Sequence, residues 1–273
     1  MVKNMYADFH LHTHYSGDSN ADPDAVVQAA INSGIKIMCV TDHRDLDLPE
    51  YLFNNISFSS INYDEYFSFW HDMREKYKDK IDIKIGIEAG VEPETAERQA
   101  QCVKSFPFDF VISSVHTVTR EYPYYPDFIA KFGTRKTMDM YFGRINSCLD
   151  LFTDFDVLGH IDFIVRYTTD KAGYVYENHR ELLDEILKKA ISLGKGIEIN
   201  SAGYRHDLTH PNPRFEIIKR YKELGGEILT FGSDAHKPSD VAADFDRTSA
   251  LAKEAGFKYY CVFKNRKPEF LPL

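Results

Sequence analysis

Histidines and carboxylates recur together in short motifs along the chain, and both are side chains that bind divalent metal ions. Eleven of the 273 residues are histidine. The positions that combine the two residue types are His10, His12, Asp42, His43, Glu88, His116, His160, Asp234 and His236. Imidazole with carboxylate and without thiolate suits Zn, Mn or Fe, and differs from the cysteine-rich set of a structural zinc site. The four cysteines contain no Cys-x-x-Cys pair, so we interpret them as reduced core thiols.

These side chains can share one site only if the secondary structure brings them together. Short apolar runs typical of β-strands alternate with longer segments whose apolar residues recur at three- and four-residue spacing, as in amphipathic helices. The predicted strands cover residues 6–12, 36–41, 81–88, 108–116, 156–161, 196–200, 227–232 and 258–263. The predicted helices cover residues 24–32, 62–77, 94–104, 137–152, 178–192, 213–224 and 240–254. Seven βα units and a last strand predict a parallel sheet covered by helices, closed or nearly closed into an α/β barrel.

The histidines and carboxylates fall at the carboxyl ends of these predicted strands. His10 and His12 are two residues apart, so a strand would point both side chains to the same face. A parallel barrel gathers its active site at the carboxyl end of its strands. One histidine there is more often structural than a ligand, but an apolar core would not tolerate so many converging polar groups without partners. We therefore predict a multinuclear metal site at this end of the barrel.

Length and charge limit the classes of protein that this chain can belong to. A length of 273 residues suits one α/β barrel, which typically has about 250, so we expect one domain over residues 1–273. Lys and Arg total 33 against 42 Asp and Glu, and the net charge of −9 argues against holding long nucleic acid or an anionic membrane by bulk charge. Without an apolar stretch near the roughly 20 residues of a membrane span, or the apolar core of a signal peptide, we expect a cytoplasmic protein.

Two long loops interrupt the pattern, at residues 44–61 and 117–136. The second contains a cluster of tyrosine and proline at residues 121–126. Long loops inside a compact domain are usually lids or binding loops. The alternative is that each is a solvated insertion that only covers one end of the barrel.

Six segments resemble, in order, the motifs of the PHP (polymerase and histidinol phosphatase) family. They are Asp8-Phe-His10-Leu-His12-Thr-His14, Thr41-Asp42-His43, Gly86-Ile-Glu88, Ser113-Ser-Val-His116, Gly159-His160-Ile-Asp162 and Gly232-Ser-Asp234-Ala-His236. They span residues 8–236, and the stretch Gly203-Tyr-Arg205-His206 is similar to the histidinol-phosphate phosphatase branch in particular. The resemblance implies a distorted (β/α)7 barrel of the TIM-like type with a trinuclear metal centre.

The resemblance also implies which residues bind each ion. The first ion would be held by His10, His12, Glu88 and Asp234, the second by Glu88, His116 and His160, and the third by Asp18, His43 and His236. Glu88 would bridge the first two ions. Asp18 occupies a position where family members have His or Asp, and its alternative role is to cap the helix that begins near Asp24.

Hydrolysis of a phosphate monoester also needs a proton for the leaving alkoxide and cations for the phosphoryl oxygens. Asp42 and His206 are the candidate proton donors. Asp42 could instead orient His43, and His206 could contact substrate without transferring a proton. Arg166 and Arg205 are placed to bind phosphate through the guanidinium fork, and each could alternatively form a surface ion pair.

The expected function is metal-dependent hydrolysis of L-histidinol phosphate to L-histidinol and inorganic phosphate in histidine biosynthesis. The residue chemistry alone predicts only a metal phosphoesterase, and the substrate follows from the resemblance. One alternative is a PHP phosphoesterase that acts on nucleotides or as a 3′-exonuclease, which the net charge of −9 disfavours. Another is a metal-binding module without turnover, which the nearby acids and the open ligand set disfavour. We therefore expect a small phosphate monoester as partner, and neither nucleic acid nor a membrane.

Overall fold

A computed structural model describes residues 7–48, 61–119, 126–168, 171 and 174–273. The central part of the predicted loop 44–61 and most of the tyrosine and proline cluster at 121–126 lie outside these residues. The proposed role of each loop therefore stays a prediction.

Parallel strands arranged around a barrel form the centre of the fold. They are β1 (Ala7–Leu11), β2 (Ile37–Val40), β3 (His43–Asp45), β4 (Asp82–Gly90), β5 (Phe110–Ser114), β6 (Val157–Leu158), β7 (Gly196–Asn200) and β8 (Leu229–Gly232). The pairing order is β1-β2-β4-β5-β6-β7-β8. β2 pairs with the amino half of β4, and β3 pairs with the carboxyl half of the same strand, so β2 and β3 share one position in the barrel. The ends meet where Asp234 N donates to His10 O at 2.8 Å and His12 N donates to Ala235 O at 2.9 Å. These seven strand positions form the distorted (β/α)7 barrel expected from the sequence.

Helices cover the outside of the barrel. They are α1 (Pro23–Asn32), α2 (Tyr63–Tyr77), α3 (Ala96–Ser105), α4 (Pro126–Phe132), α5 (Thr134–Leu151), α6 (Arg180–Ser192), α7 (Phe215–Glu223) and α8 (Phe245–Glu254). The side chain of Asp22 caps α1 by accepting from Ala25 N at 3.0 Å, and that of Asn62 caps α2. None of the helices in the described part of the chain is both long and apolar enough to cross a membrane.

Apolar and polar side chains are buried at different ends of the barrel. The strands are apolar and buried through most of their length, and α2 packs Tyr66 and Trp70 against them. At the carboxyl ends of the strands the buried residues become histidine and carboxylate, beginning with His10 and His12 at 0% exposure. Burying so many polar groups is costly unless they find partners, so this end must carry the function.

Several predicted boundaries differ from the structure. The expected helix 137–152 begins earlier, at Thr134, and α4 precedes it. The expected strand 156–161 is reduced to the two residues of β6, because the chain turns at His160 into a 3-10 segment at Phe163–Tyr167. The short β3 was not predicted, since its residues are polar and pairing with β4 alone defines it as a strand.

The prediction that residues 258–263 form a last strand of the barrel is wrong. This segment is β9 (Tyr259–Lys264), and it pairs antiparallel with β10 (Lys267–Pro272) in a separate two-stranded sheet. Asn265 and Arg266 form the two-residue turn with positive φ angles of 49° and 65°, without the Asn-Gly sequence that usually marks such a turn. The turn packs against the amino end of the barrel, where Asn265 N donates to Asp109 Oδ1 at 3.1 Å.

Arg266 should stabilise the fold through this turn. Its Nε lies 2.5 Å from Oδ2 of Asp156, a buried carboxylate that also accepts from Val111 N. Arg266→Asn removes the ion pair and tolerates the positive φ, so we expect a loss of about 1.5–3 kcal/mol. Thermal unfolding should show a midpoint lower by roughly 3–10 °C for a protein of this size.

The exposed pair of Arg180 with Glu177 supplies the control, because Arg180→Asn should shift the midpoint by less than the error of the measurement. Equal midpoints for the two variants would contradict a structural role for the turn.

Candidate metal centre

Six of the nine side chains expected to bind metal line one pocket at the carboxyl end of the barrel. The other three, His10, His12 and Glu88, are buried in contact with those six. β1 and the residue that follows it carry His10 and His12, β3 begins with His43, and β4 carries Glu88. The other five lie in the loops that follow β1, β5, β6 and β8: Asp18, His116, His160, Asp234 and His236. Parallel strands place these residues together because all their carboxyl ends meet at one rim.

Glu88 is at the centre of the cluster. Its Oε2 lies 2.8 Å from His43 Nδ1 and 3.2 Å from His10 Nε2. Its Oε1 lies 2.9 Å from His160 Nε2 and 3.2 Å from His116 Nε2, and accepts from Ser114 Oγ at 2.7 Å. One carboxylate thus faces imidazoles from four segments, which is the geometry of a bridging ligand.

Two further carboxylates complete the cluster. Asp234 Oδ1 lies 3.3 Å from His12 Nε2 and 3.6 Å from His236 Nδ1. Asp18 Oδ2 lies 3.2 Å from His236 Nε2 and 3.6 Å from His43 Nε2, at the exposed rim. Because Asp22 caps α1, the alternative role of Asp18 as that helix cap does not apply.

The donor atoms fit divalent cations. Four sets of three donors converge with their atoms within 4.8 Å of one another. They are His12/His43/His236, His10/His12/Asp234, His10/Glu88/His160 and His43/Glu88/His116. Buried Nε2 atoms of His10, His12 and His236 and Oε2 of Glu88 make no well-formed hydrogen bond within the described part of the chain. Leaving buried polar atoms unsatisfied is costly, and lone pairs directed at a common point are what a cation requires.

The electrostatics keep the carboxylates ionised. Burial alone would raise the pKa of Glu88, but His10, His43 and His116 hold that pKa well below its usual range. Burial would likewise raise the pKa of Asp234, and His10 and His12 hold it low. Burial lowers the pKa of His12 and of His160, which favours neutral imidazoles with a free lone pair. Burial would also lower the pKa of His10, His43, His116 and His236, but the neighbouring carboxylates raise it, so a cation that binds these rings must displace their protons.

Hydrogen bonds to the far side of the rings orient several histidines, and the residues that make them were not predicted. His116 Nδ1 lies 2.7 Å from Asp45 Oδ1, His10 Nδ1 lies 2.9 Å from Glu198 Oε2, and His12 Nδ1 lies 2.9 Å from Ser16 Oγ. Asp45 and Glu198 each had a sequence signal. Asp45 is two residues after His43, and Glu198 is an acid inside an otherwise buried strand.

Asp42 lies behind the cluster and does not line the pocket. Its carboxylate accepts from Thr13 N at 2.7 Å, from Ser16 Oγ at 2.8 Å and from Tyr66 OH at 3.0 Å. Ser16 Oγ also accepts from His43 N at 3.0 Å. Since the hydroxyl proton goes to Asp42, the Ser16 oxygen accepts from His12 Nδ1–H, which leaves the His12 Nε2 lone pair facing the cluster.

Arg166, Arg205 and His206 all line a cavity of about 300 Å³ that opens onto the histidines. Arg166 is buried, with Nε donating to Asn212 Oδ1 at 3.0 Å and Nη2 lying 3.3 Å from Asp234 Oδ2. Arg205 donates to the carbonyl of Ser233, next to Asp234, whose φ of 54° is left-handed. His206 lies at the exposed mouth, where partial burial and the charge of Arg166 lower its pKa to about 4.

Comparison with known proteins agrees with this geometry. Residues 8–202 match the PHP domain family. A protein of Lactococcus lactis named "Histidinol-phosphatase" is 33% identical over 95% of this chain and 95% of its own. A Clostridium acetobutylicum protein named "Probable histidinol-phosphatase" is 29% identical over 93% of this chain and 95% of its own.

A solved structure is also similar over nearly the whole chain. It is the Lactococcus lactis histidinol phosphate phosphatase in complex with zinc, L-histidinol and phosphate, with a TM-score of 0.87 and 31% identity. The match covers 97% of this chain and 98% of that chain. The ordered histidine and carboxylate motifs, the barrel that brings them together and these matches all lead to one assignment: this chain belongs to the PHP family.

Proposed function

We propose that this protein is a metal-dependent phosphatase that hydrolyses L-histidinol phosphate to L-histidinol and inorganic phosphate in histidine biosynthesis. The observation that carries the proposal is the nine-residue cluster opening onto a cavity lined by two arginines and His206. The similar Lactococcus structure, which binds zinc, L-histidinol and phosphate, supports the choice of substrate.

We propose three divalent ions, held as the family resemblance implies: one by His10, His12, Glu88 and Asp234, one by Glu88, His116 and His160, and one by Asp18, His43 and His236. Zinc has support from the related structure, and the same ligand types suit manganese or iron. When bound, such ions activate water for attack and neutralise charge on the phosphoryl oxygens. The burial of Glu88 and its neighbours excludes bulk solvent, which strengthens every charge interaction in the site.

Arg166 binds the phosphoryl group in this proposal. Asn212 and Asp234 fix the guanidinium, so its position at the cavity wall is set before substrate arrives. Arg205 lies in the segment after β7, the strand next to β6, is half-buried and has Asp240 Oδ2 3.7 Å from its Nε. The position of both arginines on the cavity wall supports phosphate binding over the alternative of a surface ion pair.

Arg166→Lys should lower kcat/KM for histidinol phosphate while the protein keeps its fold and its metal. Lysine retains the charge but loses the planar fork, and a charge-assisted hydrogen bond is worth about 1.5–3 kcal/mol, or roughly 10- to 150-fold. Steady-state kinetics with the metal-loaded variant gives the comparison. Arg180→Lys, at an exposed site on α6, is the control and should match wild type. A wild-type KM and kcat for Arg166→Lys would remove Arg166 from the phosphate site.

Of the two candidate proton donors, the geometry favours His206. Asp42 is enclosed by three donor residues behind the histidines, which suits its alternative role of orienting His12 and His43 through Ser16. His206 faces the cavity. Its low pKa makes it neutral near pH 7 in the free protein, and a bound phosphate dianion would raise that pKa and let the imidazolium donate a proton.

The choice of leaving group tests whether His206 donates a proton or only contacts the substrate. His206→Ala should slow hydrolysis of histidinol phosphate by about 10²–10⁴-fold, the usual contribution of a general acid, yet hardly affect p-nitrophenyl phosphate, whose leaving group needs no proton. Asp42→Asn should slow both substrates equally, because it disturbs the histidines. Equal losses on the two esters for His206→Ala would assign that residue to substrate contact alone.

The proposed activity is tested by comparing the rates of hydrolysis of several phosphate esters. Purified, metal-loaded protein is given histidinol phosphate, other alkyl monoesters, nucleoside monophosphates and a short single-stranded DNA, and released phosphate or shortened DNA is measured. We expect a clear preference for histidinol phosphate. Equal rates on all monoesters would overturn the substrate assignment, and DNA trimming would indicate the exonuclease alternative.

A cytoplasmic location also stays a prediction, supported by four buried cysteines that form no disulfide.

A further inference from the structure

Glu198 is a fully buried acid that the proposed chemistry does not use. It lies in β7, with 1% of its surface exposed, between β6 and β8. It does not line the cavity, and its hydrogen bonds are with other protein groups. An ionisable side chain inside a barrel is costly unless it makes specific contacts.

The two oxygens of Glu198 have separate partners. Oε2 lies 2.9 Å from His10 Nδ1. Oε1 accepts from the backbone N–H of His160 at 2.7 Å and from Asn200 Nδ2 at 3.1 Å. His10 belongs both to the set with His12 and Asp234 and to the set with Glu88 and His160, so it is shared between the two. In the proposed ligand assignment His10 holds the first ion, and His160, in the loop after β6, holds the second. The carboxylate therefore touches two parts of the cluster at once.

The contact with Glu198 determines which nitrogen of His10 can bind a metal ion. An ionised carboxylate only accepts hydrogen bonds, so when the ring is neutral, as metal binding requires, its proton is on Nδ1. The lone pair is then on Nε2, which lies 3.2 Å from Glu88 Oε2 and 3.7 Å from Asp234 Oδ1. Carboxylates that accept from the far nitrogen of a ligand histidine fix its orientation and its tautomer.

The surrounding backbone leaves space for this carboxylate. A Cβ at Gly232 would lie 2.4 Å from His10 Cβ and 2.7 Å from Glu198 Oε2. A Cβ at Gly159 would lie 2.2 Å from Ser114 Oγ and 3.5 Å from Glu198 Oε1. Gly232, at the end of β8, thus makes room for the contact between Glu198 and His10, whereas the 3.5 Å at Gly159 is an ordinary van der Waals distance.

We propose that Glu198 is a positioning residue that holds two metal subsites in register, one by orienting the His10 ring and the other by anchoring the His160 backbone. The inference rests on the proposed function only in requiring that the cluster binds metal. It predicts that one substitution outside the ligand set weakens two ions together.

Glu198→Gln tests this proposal through metal binding. Glutamine keeps the shape but presents an NH₂ group to one of the two partners. We expect the zinc or manganese affinity of chelator-treated protein, titrated by calorimetry, to fall by roughly 10- to 100-fold at two subsites. Asp184→Asn is the matched control, since Asp184 is a buried acid that bonds Arg220 and Tyr176 away from the cavity. It should lower the thermal midpoint and leave metal affinity unchanged. Wild-type affinity and stoichiometry in Glu198→Gln would overturn the proposal.

A second measurement does not depend on the variant folding. In zinc-loaded wild-type protein labelled with ¹⁵N, the His10 ring should show its proton on Nδ1 with slow exchange. A proton on Nε2 would overturn the proposal directly. Both readouts are independent of turnover, so failure to hydrolyse histidinol phosphate would reject the proposed substrate without affecting the role of Glu198.

Discussion

Glu88→Gln should abolish phosphatase activity, with kcat/KM lower by about a thousandfold or more, or roughly 4 kcal/mol of transition-state stabilisation. The reason is the central position of Glu88, whose two oxygens face the nitrogens of His10, His43, His116 and His160 at 2.8–3.2 Å. Glutamine replaces one oxygen by an NH₂ group, which donates hydrogen bonds and cannot bind a cation. The expected result is loss of bridged metal, measured by elemental analysis together with steady-state kinetics.

A nearby glutamate separates this effect from general damage to β4. Glu92 is also buried and lies four residues further along, but it bonds Thr117 and Arg144 rather than the histidines. Glu92→Gln should cost stability while its metal content per folded molecule matches wild type. Circular dichroism of each variant shows whether it is folded. A folded Glu88→Gln protein with wild-type metal content and turnover would refute the bridging role.

Removing the metal ions should lower stability as well as activity. An ion that binds only the folded state adds about 2.7 kcal/mol when present at 100 times its dissociation constant. For a domain of this size that corresponds to roughly 5–10 °C in the midpoint of thermal unfolding for each ion lost. Without cations the buried Nε2 atoms of His12 and His236, whose rings stack with centroids 4.1 Å apart, make no hydrogen bond within the described part of the chain.

The measurement is thermal unfolding before and after chelation, with turnover followed on the same samples. Addition of zinc or manganese should restore both the midpoint and the activity. In Glu88→Gln the chelator should change the midpoint much less, because fewer ions remain to be removed. An unchanged midpoint in metal-free wild-type protein would show that the cluster is stable without cations.

Much of the barrel follows from local pattern. The period of apolar residues identified strands and helices because each depends on neighbours within a few positions. The run 196–200 coincides with β7, and the segment 62–77 begins at the Asn62 cap of α2. The pattern missed β3 and β10, and it found β9 but placed that strand in the barrel, since the partner of a strand is not contained in its apolar period.

Residue types and their order along the chain by themselves predicted a metal site at the carboxyl ends of parallel strands, and the resemblance to the PHP motifs implied the individual ligands, including Asp18. That was possible because a βα repeat brings every strand end to the same rim, whatever the detailed packing. Tertiary structure alone decided how the ligands are held. His10 and Glu198 are 188 residues apart in sequence and 2.9 Å apart in space. The same holds for Asp42, for which the sequence allows acid chemistry or orientation of a histidine. Its hydrogen bonds with Thr13, Ser16 and Tyr66 support the second of these roles. The physical reason is that the tautomer and orientation of a ring depend on contacts between distant strands, which no local pattern contains.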